Sequence, residues 1–315
     1  MPSHENALLT MVDQKTKIVG SNKMELLLFS LGGKETFGIN VFKVREVCEA
    51  PEITRTPNMP AGVEGIISLR GAIIPVIDLA TFAHAGSPPG GAGKLIITEF
   101  SSHTQAFRVA DVDRIVRVDW EQVRAPQGVL SQGSTLVTAI TELPEGRLVS
   151  ILDVEQILHD TFGDETAPTL QPVAAEHARS VFFADDSAFA RRKIASVLEQ
   201  LGLPHQQATN GREAWNKLHA LASQAQRDKV ALSSTLGLVL VDAEMPEMDG
   251  YVLTRHIRDD ARFEGIPVVM HSSLSSVANR KMGQTAGVDA YVGKFNVEHL
   301  ASTIVGMLNA REKAA

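Results

Sequence analysis

The hydrophobic rhythm of the chain changes near its middle. Before Gly163, short apolar stretches follow one another closely: Met24–Leu31, Glu35–Asn40, Gly65–Leu69, Ala72–Ile77, Lys94–Phe100, Gln105–Val109, Arg114–Val118, Thr135–Ile140 and Arg147–Leu152. They are rich in Val, Ile, Leu, Phe or Thr, and turn residues separate several of them. Many short strands at close spacing predict an all-β sandwich or barrel. Short helices are predicted around Phe42–Cys48 and Val154–His159. After Arg179 the pattern alternates. Ser180–Ala184 is a continuous apolar run, followed at helical spacing by Phe189, Ile194, Val197, Leu198 and Leu201. Leu236–Val241 is another, preceded by a helix with Ala214, Trp215, Leu218, Leu221 and Ala222 on one face. Pro267–Met270 and Ala290–Val292 are further strands, and the last helix carries Val297, Leu300, Ile304 and Leu308. Apolar strands between amphipathic helices predict a parallel sheet covered on both faces, hence a doubly wound α/β domain.

Between the two patterns, Gly163 to Arg179 (GDETAPTLQPVAAEHAR) is poor in large apolar side chains and contains Pro168 and Pro172, as a linker would. The expected organisation is an N-terminal extension over 1–23, a β domain over 24–162, a linker over 163–178 and an α/β domain over 179–311. A length of 315 residues suits two domains.

Composition narrows the function. Residues 1–165 hold 14 Lys+Arg against 21 Asp+Glu, and residues 166–315 hold 16 of each. Neither half is basic, which argues against nucleic-acid binding. One cysteine, Cys48, excludes an intramolecular disulfide and a cysteine zinc site, and fits a reducing compartment. No apolar run reaches the ~18 residues needed to span a bilayer, and the N-terminus lacks a basic stretch ahead of an apolar one, so neither membrane insertion nor a signal peptide is expected. Gly90–Lys94 resembles a phosphate loop only superficially: Pro88 stands where glycine is required, and Leu95 where Ser or Thr is required.

The chemistry concentrates in the second half. In a doubly wound sheet, ligands bind beyond the carboxyl ends of the strands. There the first strand ends in Asp185-Asp186, the third in Asp242, the fourth in His271-Ser272-Ser273, and the fifth close to Lys294. Taken singly, each acid reads as a helix cap or loop residue, with Asp186 before Ser187 such a cap, and Lys294 as a solvated lysine. Taken together, three carboxylates, a hydroxyl and an ammonium converge on one rim. Two like charges ~4 Å apart repel by about 4 kcal/mol at an effective dielectric near 20. A divalent cation relieves that repulsion, and an all-oxygen set favours Mg²⁺. A carboxylate beside Mg²⁺ is a candidate phosphoryl acceptor.

VDAEMPEMDG (Val241 to Gly250), with the acids before it and the Ser and Lys after it, closely resembles the response-regulator receiver family over residues 178–310. The resemblance implies that Asp242 is phosphorylated by a histidine kinase. It implies a Mg²⁺ held by Asp185, Asp186, Asp242 and the backbone carbonyl of Glu244. It makes Ser272 the hydroxyl that bonds the phosphoryl group, Lys294 the family lysine and Tyr291 the aromatic switch. Phe295 departs from the proline usual after that lysine. Glu244 and Leu274 occupy positions that tune phosphoryl lifetime in the family.

In the first half, Phe37–Val47 and then Arg55–Leu79 (RTPNMPAGVEGIISLRGAIIPVIDL) contain Leu69-Arg70-Gly71 between two strands. Gly71 permits a tight turn, which puts Arg70 near a hairpin tip. This stretch resembles the CheW family of chemotaxis coupling proteins over about residues 24–162, with Ser68 replacing the Asn of an N-L-R-G signature. The resemblance implies two five-stranded β-barrels and binding to the kinase CheA and to chemoreceptor tips. Arg70 is the implied contact, with Val44, Glu46 and Val47 in the helix region beside it. A CheW-like domain joined to a receiver is the CheV architecture. It implies a cytoplasmic adaptor, recruited to receptor arrays and modulated by phosphorylation rather than acting as an enzyme. The alternatives are a phosphate sink for CheA without conformational output, and a metal-dependent phosphohydrolase using Asp242.

Overall fold

The computed structural model describes residues 23–83, 93–100, 103–124, 136–163, 170–173, 179–273, 277–294 and 296–312. The chain divides into two compact units, Met1–Gly163 and Asp164–Ala315. Among the described residues no helix is long and apolar enough to cross a membrane.

The first unit is two five-stranded sheets. One contains β1 (Lys23–Ser30), β2 (Thr36–Asn40), β8 (Asp111–Asp119), β9 (Val137–Glu142) and β10 (Leu148–Leu152), in the order β8-β1-β2-β10-β9. The other contains β3 (Val44–Glu49), β4 (Val63–Leu69), β5 (Ala72–Asp78), β6 (Lys94–Phe100) and β7 (His103–Val109), in the order β3-β6-β7-β5-β4. Each sheet closes through the chain just beyond an edge strand. Arg124, after β8, exchanges two backbone bonds with Ile140 of β9, and Thr54, after β3, exchanges two with Ile66 of β4. Closure leaves neither edge as an open template for pairing.

The strand period of two builds three layers of core from these sheets. On β1, Leu26 and Leu28 point into their own barrel, beside Trp120, Val149 and Ile151, while Leu27 and Phe29 point the other way. On the second sheet, Leu95, Ile97, Ile74 and Val76 fill the barrel interior, while Ile96 and Ile77 face outward. The two outward sets meet in one shared core, completed by Leu79 of α1 (Leu79–Phe82) and by Val154 and Ile157 of α2 (Val154–Phe162). This is why β1 and β6 read as nearly continuous apolar runs: both faces are buried.

One predicted element changes type. Phe42–Cys48, predicted as a helix, is a single 3-10 turn at Val41–Lys43 followed by strand β3. Asn40 caps the turn by accepting from the Phe42 amide. β3 then pairs with β6 from Val44↔Thr98 to Glu49↔Lys94. The β-branched residues Val44 and Val47 suit a strand, and the available partner strand overrides any weak local helical preference.

The second unit has a parallel sheet, with order β12-β11-β13-β14-β15: β11 (Ser180–Ala184), β12 (His205–Ala208), β13 (Leu236–Val241), β14 (Val268–Ser272) and β15 (Ala290–Gly293). Helices α3 (Ala188–Gln200), α4 (Gly211–Arg227), α5 (Gly250–Asp259), α6 (Val277–Ala286) and α7 (Val297–Glu312) connect and cover it. Phe182, Ala184, Val239 and Val241 face one apolar layer, and Val181, Phe183, Leu238 and Leu240 face the other. Strand β12 (HQQA) carries no apolar run, because an edge strand half open to water does not need one. Part of the expected linker belongs to this unit. Leu170 and Val173 pack on its apolar layer, and the Val173 amide donates to the Leu201 carbonyl at 2.9 Å.

Candidate functional site

Parallel register brings the strand ends together. Ala184 aligns with Val241, Val241 with Met270, and Ser272 with Gly293. The Asp242 amide donates to the Ala184 carbonyl at 2.9 Å, and the Lys294 amide to the Ser272 carbonyl at 3.0 Å. The residues that follow each strand therefore share one rim. Asp185, Asp186 and Asp242 each place a carboxylate oxygen within 4.8 Å of the others. Lys294 extends its ammonium between two of them, 2.8 Å from Asp185 Oδ2 and 3.0 Å from Asp242 Oδ2. Its side chain is 1% exposed, so it is not the solvated lysine that its sequence position alone suggests.

The loop after Asp242 explains the M-P-x-M-D-G pattern in physical terms. Met245 and Met248 are buried in the core and anchor the loop at both ends. Between them Glu247 adopts a left-handed backbone (φ 65°), and its side chain accepts from Asn210 Nδ2 at 3.2 Å. Asp249 caps α5 by accepting from the Val252 amide at 2.7 Å. Burial pushes its carboxyl above the usual range against the pull of that bond. Gly250 is dictated by contact: a Cβ there would lie 2.0 Å from the carbonyl oxygen of Asp242. The strand end that presents Asp242 and the start of α5 thus pack backbone to backbone.

Ser272 is buried, and the phenol of Tyr291 lies close to its side chain. Burial pushes that phenol up to about 12, and the carboxylates of Asp242 and Glu244 add to the shift. Glu244 is itself buried, two residues beyond Asp242. Tyr251, at the start of α5, places a buried hydroxyl near the same acids. Phe295 and Leu274, singled out as a departure and a tuning position, lie outside the described residues.

Two features of the rim were not foreseen. The cap of α3 is Ser187, which accepts from the Ala190 amide, and not Asp186. Arg191, one turn into α3, donates to the carbonyls of both Asp185 and Asp186. The donor set itself fits a hard divalent cation. Three carboxylates against one ammonium leave the rim negative, every donor is oxygen, and the oxygens lie close enough to share an ion.

In the first unit, Arg70 and Gly71 are the two central residues of the β4–β5 hairpin, between the paired Leu69 and Ala72. Both have positive φ (51° and 84°), the signature of a type I′ turn. The Arg70 guanidinium reaches Glu46 Oε2 on β3 at 2.6 Å, which unites two residues singled out from the sequence. Arg70 is 67% exposed in its side chain and Glu46 only 10%. Val47 is half-buried on the opposite face of β3, packed against the shared core. Val44 corrects the expectation: it is buried in the shared core and offers no side-chain surface. Val44, Glu46 and Val47 stand on a strand, not on a helix.

The comparisons with known proteins follow the same division. Residues 25–162 match the CheW-like domain and residues 181–304 the response regulator receiver domain. The chain is 30% identical over 308 residues to the chemotaxis protein CheV2 of Helicobacter pylori, covering 91% of this chain and 95% of that protein. It is 31% identical over 302 residues to CheV3 of the same organism, covering 91% and 96%. Over 136 residues it is 32% identical to the chemotaxis protein CheW of Klebsiella aerogenes, covering 42% of this chain and 81% of that one. The closed β sheets with Arg70 at a hairpin tip, the acidic rim at the end of a parallel sheet, and full-length similarity to two such relatives place the chain in the CheV family of chemotaxis proteins.

Proposed function

We propose that the chain is a chemotaxis adaptor that bridges the kinase CheA and chemoreceptor tips through its CheW-like domain, and that phosphorylation of Asp242 regulates the bridging. The observation that carries this reading is the buried ammonium of Lys294 between the carboxylates of Asp185 and Asp242. That arrangement is costly for stability alone, and it is suited to receiving a phosphoryl group.

In the transfer, an Asp242 carboxylate oxygen forms the new bond to phosphorus as the P–N bond of a phosphohistidine breaks. The electron pair of that bond stays on the imidazole nitrogen. Asp185, Asp186, Asp242 and the Glu244 carbonyl would hold Mg²⁺. When bound, the cation neutralises charge on the transferring group. Lys294 supplies a second positive charge at the acceptor carboxylate with no reorganisation, since it is already held in place. The Ser272 hydroxyl, now close to Tyr291, would turn to a phosphoryl oxygen, and Tyr291 would follow. Phosphorylation then biases one arrangement of the Ser272–Tyr291 pair over another. The protein turns over no substrate of its own.

On the CheW-like side, Arg70 and Glu46 are the proposed partner contacts. A left-handed arginine at an exposed tip is a strained choice where Asn or Gly would be relaxed. The exposed member of this ion pair, Arg70, can exchange Glu46 for a partner's carboxylate.

The test is reconstitution with CheA and receptor, using wild type and Asp242→Asn. Wild type is expected to take label from phosphorylated CheA in Mg²⁺ and to change kinase activity or receptor-complex binding, and Asp242→Asn to do neither. Label retained by Asp242→Asn would place the acceptor elsewhere. Labelling of wild type with no change in binding or kinase activity would leave only a phosphate sink.

A further inference from the structure

We propose that Arg191 is a positioning residue for the cation site, holding the Asp185–Asp186 segment in the geometry that aims its carboxylates together. The proposal rests on the Mg²⁺ reading of the rim. A single nitrogen of the guanidinium, Nη1, lies 2.8 Å from the Asp185 carbonyl and 2.9 Å from the Asp186 carbonyl. Two consecutive carbonyls bonded to one donor fix the peptide planes on both sides of Asp186. Those planes set the directions in which the Asp185 and Asp186 side chains leave the backbone.

The segment needs that restraint. Beyond Ala184 the strand ladder ends, and the backbone tie from Asp185 to β12 is long, its amide 3.3 Å from the Ala208 carbonyl. Asp185 Oδ1 accepts from the Ser187 amide at 2.9 Å, which orients one carboxylate but fixes neither carbonyl. Meanwhile Asp185, Asp186 and Asp242 are close enough to repel one another strongly. Arg191 is itself anchored, its amide donating to the Ser187 carbonyl at 3.0 Å in the first turn of α3. It therefore ties the acidic turn to a rigid helix, from the carbonyl side rather than from the carboxylates.

Charge and position make opposite demands here, so the sign of one measurement separates them. A cation beside a cation site weakens binding by charge alone, and removing it would tighten Mg²⁺. Removal of a group that orients metal ligands weakens binding instead, commonly by about 10–100-fold. Mg²⁺ alone is titrated calorimetrically into the full-length wild type, Arg191→Met, Arg191→Lys and Asp186→Asn. Arg191→Met is expected to raise the dissociation constant about tenfold, and Arg191→Lys, which keeps a charged donor, to recover most of the loss. Saturating Mg²⁺ should restore labelling of Arg191→Met by a small-molecule phosphodonor, which a merely misfolded variant would not show. Equal or tighter binding in Arg191→Met would overturn the proposal while wild type still binds and Asp186→Asn does not. Absence of binding in wild type would remove the cation site and the proposal with it.

Discussion

An ion pair marks the proposed site in each unit, and the two pairs are built in opposite ways. Lys294 is enclosed on a rim of acids, 2.8 and 3.0 Å from two carboxylates, with its side chain 1% exposed. Arg70 stands 67% exposed at a hairpin tip, and only its partner Glu46 is sheltered. Both pairs lie near a charged residue in a left-handed backbone: Glu247 in the loop after Asp242, and Arg70 itself. The enclosed pair is pre-organised and cannot trade partners without leaving buried charge behind. The open pair is held by one side only, so its exposed member can be drawn to another molecule. Chemistry inside one chain calls for the first arrangement, and recognition between chains for the second.

The largest effect should come from breaking the enclosed pair. Lys294→Met leaves buried carboxylates without their ammonium and should cost the receiver about 3–5 kcal/mol. Mg²⁺ should return part of that, because it supplies the missing positive charge. Urea melts with and without Mg²⁺ read both numbers. A loss below about 1 kcal/mol would mean that water reaches the pair after all.

The open pair should show a change of sign. Asn suits the first position of a type I′ turn, so Arg70→Asn relieves backbone strain of about 1–2 kcal/mol. It also strands Glu46, a sheltered carboxylate, at a cost of about 1–3 kcal/mol. Glu46→Gln should therefore lower stability in wild type and raise it in the Arg70→Asn background. A double-mutant cycle by denaturant melts tests this. The double variant should stay folded and lose association with CheA or receptor, which separates the contact from the fold.

The sequence revealed these two sites unequally. The rim was legible because its acids, Ser272 and Lys294 each follow an apolar strand, and a parallel sheet must bring such ends to one side. The pattern Asp242-to-Gly250 added a loop whose Met, Asp and Gly positions the fold requires. The burial of Lys294 was not legible, since a lysine after a short strand looks the same whether or not acids face it. Arg191 was missed because its bonds are to backbone carbonyls, which leave no pairing signal in the side-chain pattern. In the first unit the strands were legible as short apolar runs at close spacing, except β3, whose mixed VREVCE composition is decided by its pairing with β6. Calling β3 a helix also put Val44 on the surface. Strand period two turns it away from Arg45 and into the shared core. The edge strand β12 escaped because it has no apolar run.

A smaller effect sharpens the comparison of the two left-handed residues. Glu247→Gly removes a side chain from a conformation that costs an L residue about 1–2 kcal/mol. Greater freedom of the unfolded chain takes back about 0.4–1 kcal/mol. The receiver should gain about 0.5–1 kcal/mol, which thermal melts resolve, and Asp242 should still take label. If stability falls instead, the bond from Asn210 to Glu247 outweighs the strain.

The most local effect is a dependence on pH. The chain's two tyrosines, Tyr251 and Tyr291, are both in the receiver, and burial raises both phenols. For Tyr291 the folded value is about 12, against about 10 in an unfolded chain. A phenol raised in the folded state contributes stability that is complete below about pH 10 and is lost as pH rises towards the folded value. Stability of the receiver should therefore decline between about pH 10 and 12. Tyr291→Phe should make that decline shallower without abolishing it, since Tyr251 remains. Cys48, raised by burial and by Glu46 and Glu49, adds an alkaline loss of its own in the first unit. The measurement is accordingly the difference between wild type and Tyr291→Phe, by tyrosinate absorbance and by melts across the same pH range. A Tyr291 phenol that ionises near 10 would mean that its contact with Ser272 lies in open water, and that the pair starts from the outward arrangement.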